Sequence, residues 1–259
     1  MGKRFAWLAL LGLSGLAAGC KEKPARPLRV AAAADLAHAF AEVTPAFTAH
    51  HAMDVKLTLG STGLLARQIM QGAPFDLFLA ANSSYADQVV KSGACDGATE
   101  DKYARGRIVI WVKGEGGAQL TLAALAEPRF KHIAIANPEH APYGAAAQEA
   151  LRKAGVWAQV ADRLVYGENV QQTFELAQSG NADAAIVGLS LAIGATGGSW
   201  AMVDEASYSP IDQSLVVCTH GSNAVGAQKL ADFLKSPIGH AILRKYGFVL
   251  PGEEPLKAP

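Results

Sequence analysis

Four short stretches of the sequence place small, hydroxyl or carboxyl residues where an apolar strand-like run gives way to a helical pattern. Such junctions supply polar side chains together with the unpaired N–H groups of a helix start, which carry partial positive charge and attract anions. One junction alone is an ordinary helix cap, but four at one edge of a sheet favour an anion site. The four junctions are AAAADL with Asp35, LGSTGLL with Ser61 and Thr62, PYGAAA with Tyr143 and Gly144, and GENVQQ with Asn169 and Val170.

Motifs of other chemistry are not matched. GSTGLLAR lacks the lysine of a phosphate loop, and GLSLA at 188–192 lacks the last glycine of a nucleophile elbow. The seven histidines show no metal-ligand spacing, and His140, in NPEHAPYG, is the histidine nearest to the predicted site. A hydrolase with Ser61, His140 and Asp35 as its triad is an alternative that no spacing supports.

The elements that must position these residues alternate regularly between strand and helix from Leu28 onward, which indicates parallel sheets with crossover helices. In such sheets the ligand crevice lies at the carboxyl ends of the strands. Two strand-like stretches, GRIVIWVKG and SLVVCTHG, bracket a complete second set of elements. This pattern favours an α/β fold of two lobes joined by two hinge strands, and a single doubly wound sheet remains the alternative.

The predicted organisation follows from this pattern. Each lobe is expected to be a mainly parallel sheet flanked by helices. Lobe 1 comprises residues 28–108 and 216–250, lobe 2 comprises residues 109–215, and residues 251–259 form a C-terminal tail.

The first twenty residues predict export. Lys3 and Arg4 precede an apolar stretch that is too short to span a membrane, and LAAGC, ending at Cys20, resembles a bacterial lipoprotein signal. We expect Cys20 to be lipidated and residues 21–27 to form a tether, so that the protein is anchored in the periplasm or on the outer face of the cell envelope. An ordinary cleaved signal, which would leave a soluble periplasmic protein, is the alternative.

Composition excludes one class of partner. The 259-residue chain has a formal net charge of zero, which argues against nucleic-acid binding because that requires a basic patch. Export permits a disulfide between the two remaining cysteines, Cys95 and Cys218, but the sequence does not place their Cα atoms. We expect two separate thiols.

Several blocks of the sequence resemble periplasmic molybdate-binding proteins, the substrate-binding components of molybdate ABC transporters. The blocks are VAAAADL, GSTGLLARQIMQGAPFDLFLAA, IANPEHAPYG and RKYGF, and they follow the family's order from about Leu28 to Phe248. The resemblance implies a type II periplasmic-binding-protein fold that closes on a tetrahedral oxyanion, molybdate and also tungstate, without catalysis or a cofactor.

It further implies a monomer whose partners are the oxyanion and a membrane permease, with membrane contact only through the lipid anchor. Metal is implied only as the molybdenum of the bound oxyanion.

The resemblance also assigns site residues. The family's first hydroxyl position falls on Asp35, and its second-junction serine falls on Thr62, beside Ser61. Its third and fourth contacts fall on Tyr143 and Val170. Ala34, Asn169 and Gly144 are secondary candidates. A tyrosine that many members carry after the last strand of lobe 2 is Gly188 here, and Tyr143 can replace its hydroxyl.

Asp35 is the departure from the family pattern. An ionised carboxylate repels a negatively charged ligand. At a separation of about 4 Å and an effective dielectric constant of about 20, the repulsion costs about 4 kcal/mol for each unit of ligand charge. We expect the side chain to turn away and cap its own helix. The other solution is a carboxyl that accepts a proton carried by the ligand, which would favour hydrogen phosphate. The same fold binding sulfate, phosphate or another oxyanion is therefore the main alternative function.

A third alternative is the effector domain of a transcription regulator, which can share this fold. The export signal argues against it.

Overall fold

The computed structural model describes residues 26–116 and 120–254, together with residue 2. Apart from residue 2, the predicted signal segment with Cys20 lies outside the described residues. So do residues 21–25 of the predicted tether and residues 255–259 of the predicted tail. The predictions for these segments stay predictions.

The described residues form two five-stranded sheets, which confirms the two-sheet α/β fold and excludes a single doubly wound sheet. The strand orders are β2-β1-β3-β10-β4 and β7-β6-β8-β5-β9. The ten strands are β1 (Leu28–Ala33), β2 (Val55–Gly60), β3 (Leu77–Ala80), β4 (Asp101–Gly106), β5 (Ile108–Lys113), β6 (Ile133–Ala136), β7 (Leu164–Gly167), β8 (Ala184–Gly188), β9 (Gly198–Met202) and β10 (Ile211–Val217).

In each sheet three neighbouring strands run parallel, a fourth runs in the opposite direction, and the fifth, at the edge, runs in the same direction as the first three. In the first sheet β10 runs antiparallel to both β3 and β4. In the second sheet β5 runs antiparallel to both β8 and β9. Strand β1 is buried along nearly its whole length, as expected for a parallel strand that helices cover on both faces.

Helices cover both sheets. The α-helices of the described residues are α1 (Ala37–His51), α2 (Thr62–Met70), α3 (Ser83–Lys91), α4 (Pro142–Lys153), α5 (Trp157–Val160), α6 (Val170–Ser179), α7 (Leu189–Ala192), α8 (Ala224–Leu234) and α9 (Pro237–Lys245). A 3-10 turn, Ala34–Leu36, joins β1 to α1. None of these described helices has the length and apolar character needed to cross a membrane.

The chain crosses between the sheets twice. It leaves the first sheet after Gly106 and enters the second at Ile108, and it returns between Met202 and Ile211. The predicted second boundary, at residue 216, falls inside β10. The backbone of β10 pairs with β4 from Ile211 onward, so residues 211–215 lie in the first sheet. Hereafter lobe 1 is the first sheet with α1, α2, α3, α8 and α9, and lobe 2 is the second sheet with α4 to α7.

Cys95 and Cys218 form a disulfide, so the expectation of two separate thiols is wrong. The two residues face each other as an antiparallel bridge beyond the end of β10, and both are buried. Hydrogen bonds from Asp96 N to Val217 O and from Thr219 N to Ala94 O, both 2.9 Å, hold the two segments side by side. The chain separation of 123 residues concealed this proximity in the sequence.

Breaking this disulfide is expected to lower the free energy of unfolding by about 2–5 kcal/mol, because the cross-link restricts the unfolded chain. The measurement is urea unfolding of the oxidised protein, of the reduced protein and of a Cys95→Ser/Cys218→Ser variant. The reduced protein and the double variant serve as controls for each other, and equal stability of all three would contradict the prediction.

Candidate functional site

A small cavity of about 10 Å³ lies between the two lobes, where β1 and β2 end and where α2, α4 and α6 begin. All four predicted junctions meet there. Of the predicted site residues, Gly144 is the exception, because it packs against the backbone of Ala136 instead. The lining consists of Ala33, Ala34, Asp35, Gly60, Ser61, Thr62, Ala81, Ala141, Pro142, Tyr143, Asn169 and Val170.

The helix starts around the cavity differ in how they are capped. No side chain caps α2 or α4. At the start of α6 the Asn169 side chain accepts hydrogen bonds from the N–H groups of Gln171 and Gln172, both at 3.0 Å. Helix starts of this kind present N–H dipoles to the cavity. The surroundings of the cavity are therefore suited to an anion.

Asp35 is completely buried, and its carboxyl joins the two lobes. Its Oδ2 accepts a hydrogen bond from the Tyr143 hydroxyl at 2.8 Å and another from Gln213 Nε2 at 2.6 Å. Its Oδ1 is buried and has no hydrogen-bond partner among the described residues. The Ser190 hydroxyl donates to the backbone carbonyl of Asp35 at 2.7 Å. Asp35 thus contacts α4 and α7 of lobe 2 and β10 of lobe 1.

The prediction that Asp35 caps its own helix is wrong. The turn Ala34–Leu36 has no side-chain cap, and Ala33 rather than Asp35 occupies the cap position. The carboxyl is instead held by two donors from elements remote in the chain.

Burial raises the pKa of Asp35 to about 6, and hydrogen bonding by Tyr143, by Gln213 and by the backbone of Asp35 itself opposes this rise only in part. Burial, followed by the nearby Asp35 charge, raises the pKa of Tyr143 well above its ordinary value. The Tyr103 hydroxyl donates to Gln213 Oε1 at 3.0 Å, so the amide group of Gln213 turns its Nε2 toward Asp35. We refer to Asp35, Tyr143, Gln213 and Tyr103 as the carboxyl cluster.

Sequence reasoning missed Gln213. A buried polar residue inside the apolar run of β10 was the available signal, because a buried amide needs hydrogen-bond partners.

Two glycines make room for the Tyr143 side chain. A Cβ added at Gly188 would lie 3.1 Å from Tyr143 Cε1 and 3.5 Å from Asp35 Cβ. A Cβ added at Gly106 would overlap the Tyr143 hydroxyl. The ring of Tyr143 therefore occupies space beside position 188, where the resemblance would place a different tyrosine.

The neighbouring hydroxyls of Ser61 and Thr62 have different partners. Ser61 Oγ donates to the His140 carbonyl at 2.5 Å and lies 2.8 Å from His140 Nδ1. Thr62 Oγ1 accepts a hydrogen bond from the N–H of Ala81 at 3.2 Å. The Ser61 proton is thus used in a contact between the lobes, whereas the Thr62 hydroxyl retains a proton to donate.

The arrangement does not support the hydrolase alternative. Ser61 and His140 are in contact, but the Asp35 carboxyl hydrogen-bonds to Tyr143 and Gln213 and not to His140. Burial and then the charge of Arg67 lower the pKa of His140. In the part of the chain that the structure describes, no three or more His, Cys, Asp or Glu residues are grouped so that they could hold a metal ion.

Comparisons with known proteins agree with this architecture. A family model described as bacterial extracellular solute-binding protein matches residues 28–249. The molybdate-binding protein ModA of Rhodobacter capsulatus is 36% identical over 219 residues, which cover 85% of this chain and 86% of that protein. ModA of Azotobacter vinelandii is 34% identical over 229 residues, which cover 87% of this chain and 91% of that protein. The solved structure titled Azotobacter vinelandii periplasmic molybdate-binding protein aligns with a TM-score of 0.83 and 28% identity, and the alignment covers 86% of this chain and 99% of that chain.

The raised pKa of Asp35 makes stability depend on pH. The folded protein keeps the proton up to about pH 6, whereas the ordinary value is 3.8. The free energy of unfolding should therefore fall by about 3 kcal/mol as the pH rises through this window. Asp35→Asn removes the titrating group, so the stability of the variant relative to wild type should rise by that amount between pH 4 and pH 7.

Urea unfolding at several pH values measures this difference. Asp101→Asn is the matched control, because Asp101 is exposed and its carboxyl pairs with Lys235 at 2.7 Å rather than with a member of the carboxyl cluster. The control should follow wild type across this pH range. Parallel curves for wild type and Asp35→Asn would contradict the prediction.

Proposed function

The chain belongs to the bacterial extracellular solute-binding proteins and, among them, to the molybdate-binding proteins. We propose that it binds molybdate in the cavity between its lobes and delivers the anion to an ABC transporter permease. Members of this family bind solutes for transport, and this confirms the prediction that the chain is not an enzyme. The proposal extends to tungstate, which has the same charge and tetrahedral shape.

The observation that carries the proposal is the composition of the cavity. Its lining contains hydroxyls, helix-start N–H groups, the Asn169 amide and apolar side chains, together with the carboxyl of Asp35, and no lysine, arginine or histidine is among these described residues. Molybdate is fully deprotonated near neutral pH, so it accepts hydrogen bonds at every oxygen and donates none. Neutral donors therefore suit it, and the partial charges at helix starts replace formal cations.

Thr62 and Val170 are the proposed donors from opposite lobes. The Thr62 oxygen accepts a hydrogen bond from Ala81 N, which leaves the proton of the hydroxyl available to donate to the anion. Val170 begins α6, and its N–H lies ahead of the two N–H groups that Asn169 caps. Tyr143 contributes its backbone N–H at the uncapped start of α4, because its hydroxyl already donates to Asp35.

Closure of the lobes around the anion is the proposed mechanism. Contacts across the lobes, from Ser61 to His140 and from Tyr143 to Asp35, are in place in this structure. An anion that needs donors from both lobes binds the closed arrangement more tightly than an open one, so it shifts the population toward closure. A permease then meets the two lobes in a fixed relative position.

Export and anchoring complete the proposal. We infer that the protein is an exported monomer anchored through a lipid on Cys20, with a cleaved, soluble periplasmic form as the alternative. Support for this comes from the amino-terminal sequence, which the structure does not describe.

One observation favours a second candidate ligand. The unpartnered Oδ1 of Asp35 can accept a hydrogen bond when the carboxyl is ionised, and hydrogen phosphate can donate one. A site with this chemistry would select phosphate over molybdate.

A thermal-shift and calorimetry panel of molybdate, tungstate, sulfate and phosphate tests the proposed function. Molybdate and tungstate are expected to raise the melting temperature and to bind most tightly. Sulfate should bind more weakly, because a smaller oxyanion makes looser hydrogen bonds with donors spaced for a larger one. A preference for phosphate or sulfate would contradict the proposal and support the alternative.

Thr62→Ala is expected to weaken molybdate binding by about 10- to 100-fold, because a hydrogen bond to a charged group contributes about 1.5–3 kcal/mol. Thr62→Ser keeps the hydroxyl and is the matched control, with affinity close to wild type. Calorimetry measures both.

Ser61→Ala should have the smaller effect, up to about tenfold, because its hydroxyl makes a neutral contact between lobes. A larger loss for Ser61→Ala than for Thr62→Ala would show that the roles are reversed.

A further inference from the structure

The carboxyl of Asp35 is asymmetric. Its Oδ2 accepts two hydrogen bonds, from Tyr143 at 2.8 Å and from Gln213 at 2.6 Å. Its Oδ1 is buried without a hydrogen-bond partner among the described residues, although Asp35 lines the cavity. A buried carboxylate oxygen with no donor is costly, whereas a protonated oxygen can donate to a ligand.

We propose that Asp35 binds the oxyanion as the neutral carboxylic acid and donates a hydrogen bond from Oδ1, so that one proton enters the site with each dianion. This inference rests on the proposed function and makes Asp35 a specificity-determining residue within it. The proton comes from solvent, bonds to Oδ1 and returns to solvent when the anion leaves. No other bond forms or breaks.

The surroundings of the carboxyl favour the neutral form. Tyr143 on α4 hydrogen-bonds to the carboxyl, and Tyr103 on β4 hydrogen-bonds to Gln213 beside it. Burial raises the pKa of both phenols well above the ordinary value. Both are therefore uncharged near neutral pH. Gln213 and Ser190 are uncharged, and Asp35 is the one acidic or basic residue in the cavity lining given above. No cation of that lining offsets an ionised Asp35 when a dianion enters.

The same conclusion follows from the direction of titration. Burial raises the pKa of Asp35 to about 6, and a nearby dianion raises it further. Above pH 6 the free protein is mostly ionised at Asp35 and the complex is protonated. Binding must then take up a proton, and affinity must fall as the pH rises.

Proton uptake distinguishes this proposal from an ionised Asp35. In that alternative the carboxylate accepts a hydrogen bond from a ligand that brings its own proton, such as hydrogen phosphate. Binding would then take up no proton from solvent at pH 8. Molybdate has no proton to bring near neutral pH, so it separates the two cases.

The experiment is calorimetry of molybdate binding to the purified protein at pH 6, 7 and 8, in buffers of different ionisation enthalpy. At pH 8 we expect uptake of close to one proton per molybdate, and at pH 6 about half a proton. The affinity should fall about tenfold from pH 7 to pH 8. Asp35→Asn should bind molybdate with less than twofold change across this range and no proton uptake, because its amide N–H replaces the acid O–H.

Two further variants keep the test independent of how well Asp35→Asn folds. Tyr143→Phe removes a hydrogen bond that stabilises the carboxylate, so the pH at which affinity begins to fall should move upward. Asp101→Asn, the exposed control, should show the proton uptake of wild type.

Molybdate binding by wild type with no proton uptake and no pH dependence would overturn this inference and leave the proposed function standing. No molybdate binding by wild type or Asp35→Asn at any pH would overturn the proposed function, and this inference with it.

Discussion

A buried carboxyl without a cation is the constraint on which the centre of this molecule depends. Asp35 is completely buried where the lobes meet, and its hydrogen bonds come from Tyr143 in lobe 2 and Gln213 in lobe 1. Such a group is stable in a folded protein only if donors surround it or if it is protonated. The structure provides two donors on one oxygen and none on the other. One oxygen of the carboxyl therefore takes part in the contact between the lobes, and the other has no donor among the described residues.

The residues around the carboxyl come from four separate segments, namely β4, α4, β8 and β10. Tyr103 orients the Gln213 amide, and Gly106 and Gly188 leave space for the Tyr143 ring. A side chain at either glycine would displace the ring, and with it the donor to Asp35. At the position where the resemblance predicts a hydroxyl, Asp35 contacts a phenol on α4. Gly188, which lies beside that phenol, stands where the resemblance predicts another one.

The sequence predicted the positions of the four junctions but not their partners. Strand and helix periodicity located the junctions. Because parallel strands place their carboxyl ends at one edge of a sheet, this was sufficient to predict that Asp35, Thr62, Tyr143 and Val170 lie around one cavity. It could not show that Gln213, 178 residues away from Asp35, reaches the same carboxyl, and so a local helix cap was the expected role. The pairing of Cys95 with Cys218 was missed for the same reason.

Two strands were missed because their patterns are weak. The predicted strands did not include β4, DKYARG, which begins with two exposed charged residues, or β9, GSWAM, where Ala201 alone is buried. Both pair with only one neighbour, at the edge of a sheet. Edge strands bury less side-chain surface, so their sequences carry less of the alternation by which strands are recognised.

The proposed closure of the lobes and the proposed binding of an anion involve the same carboxyl. Asp35 is buried against Tyr143 and Ser190 of lobe 2, and burial disfavours its charge. An anion placed in the cavity disfavours that charge further. In the proposed complex a proton on Asp35 favours closure and anion binding together, and Thr62 and Val170 are the proposed donors from opposite lobes. A residue that would repel a dianion when ionised is then a donor to it when neutral, and the proposed site requires no fixed positive charge.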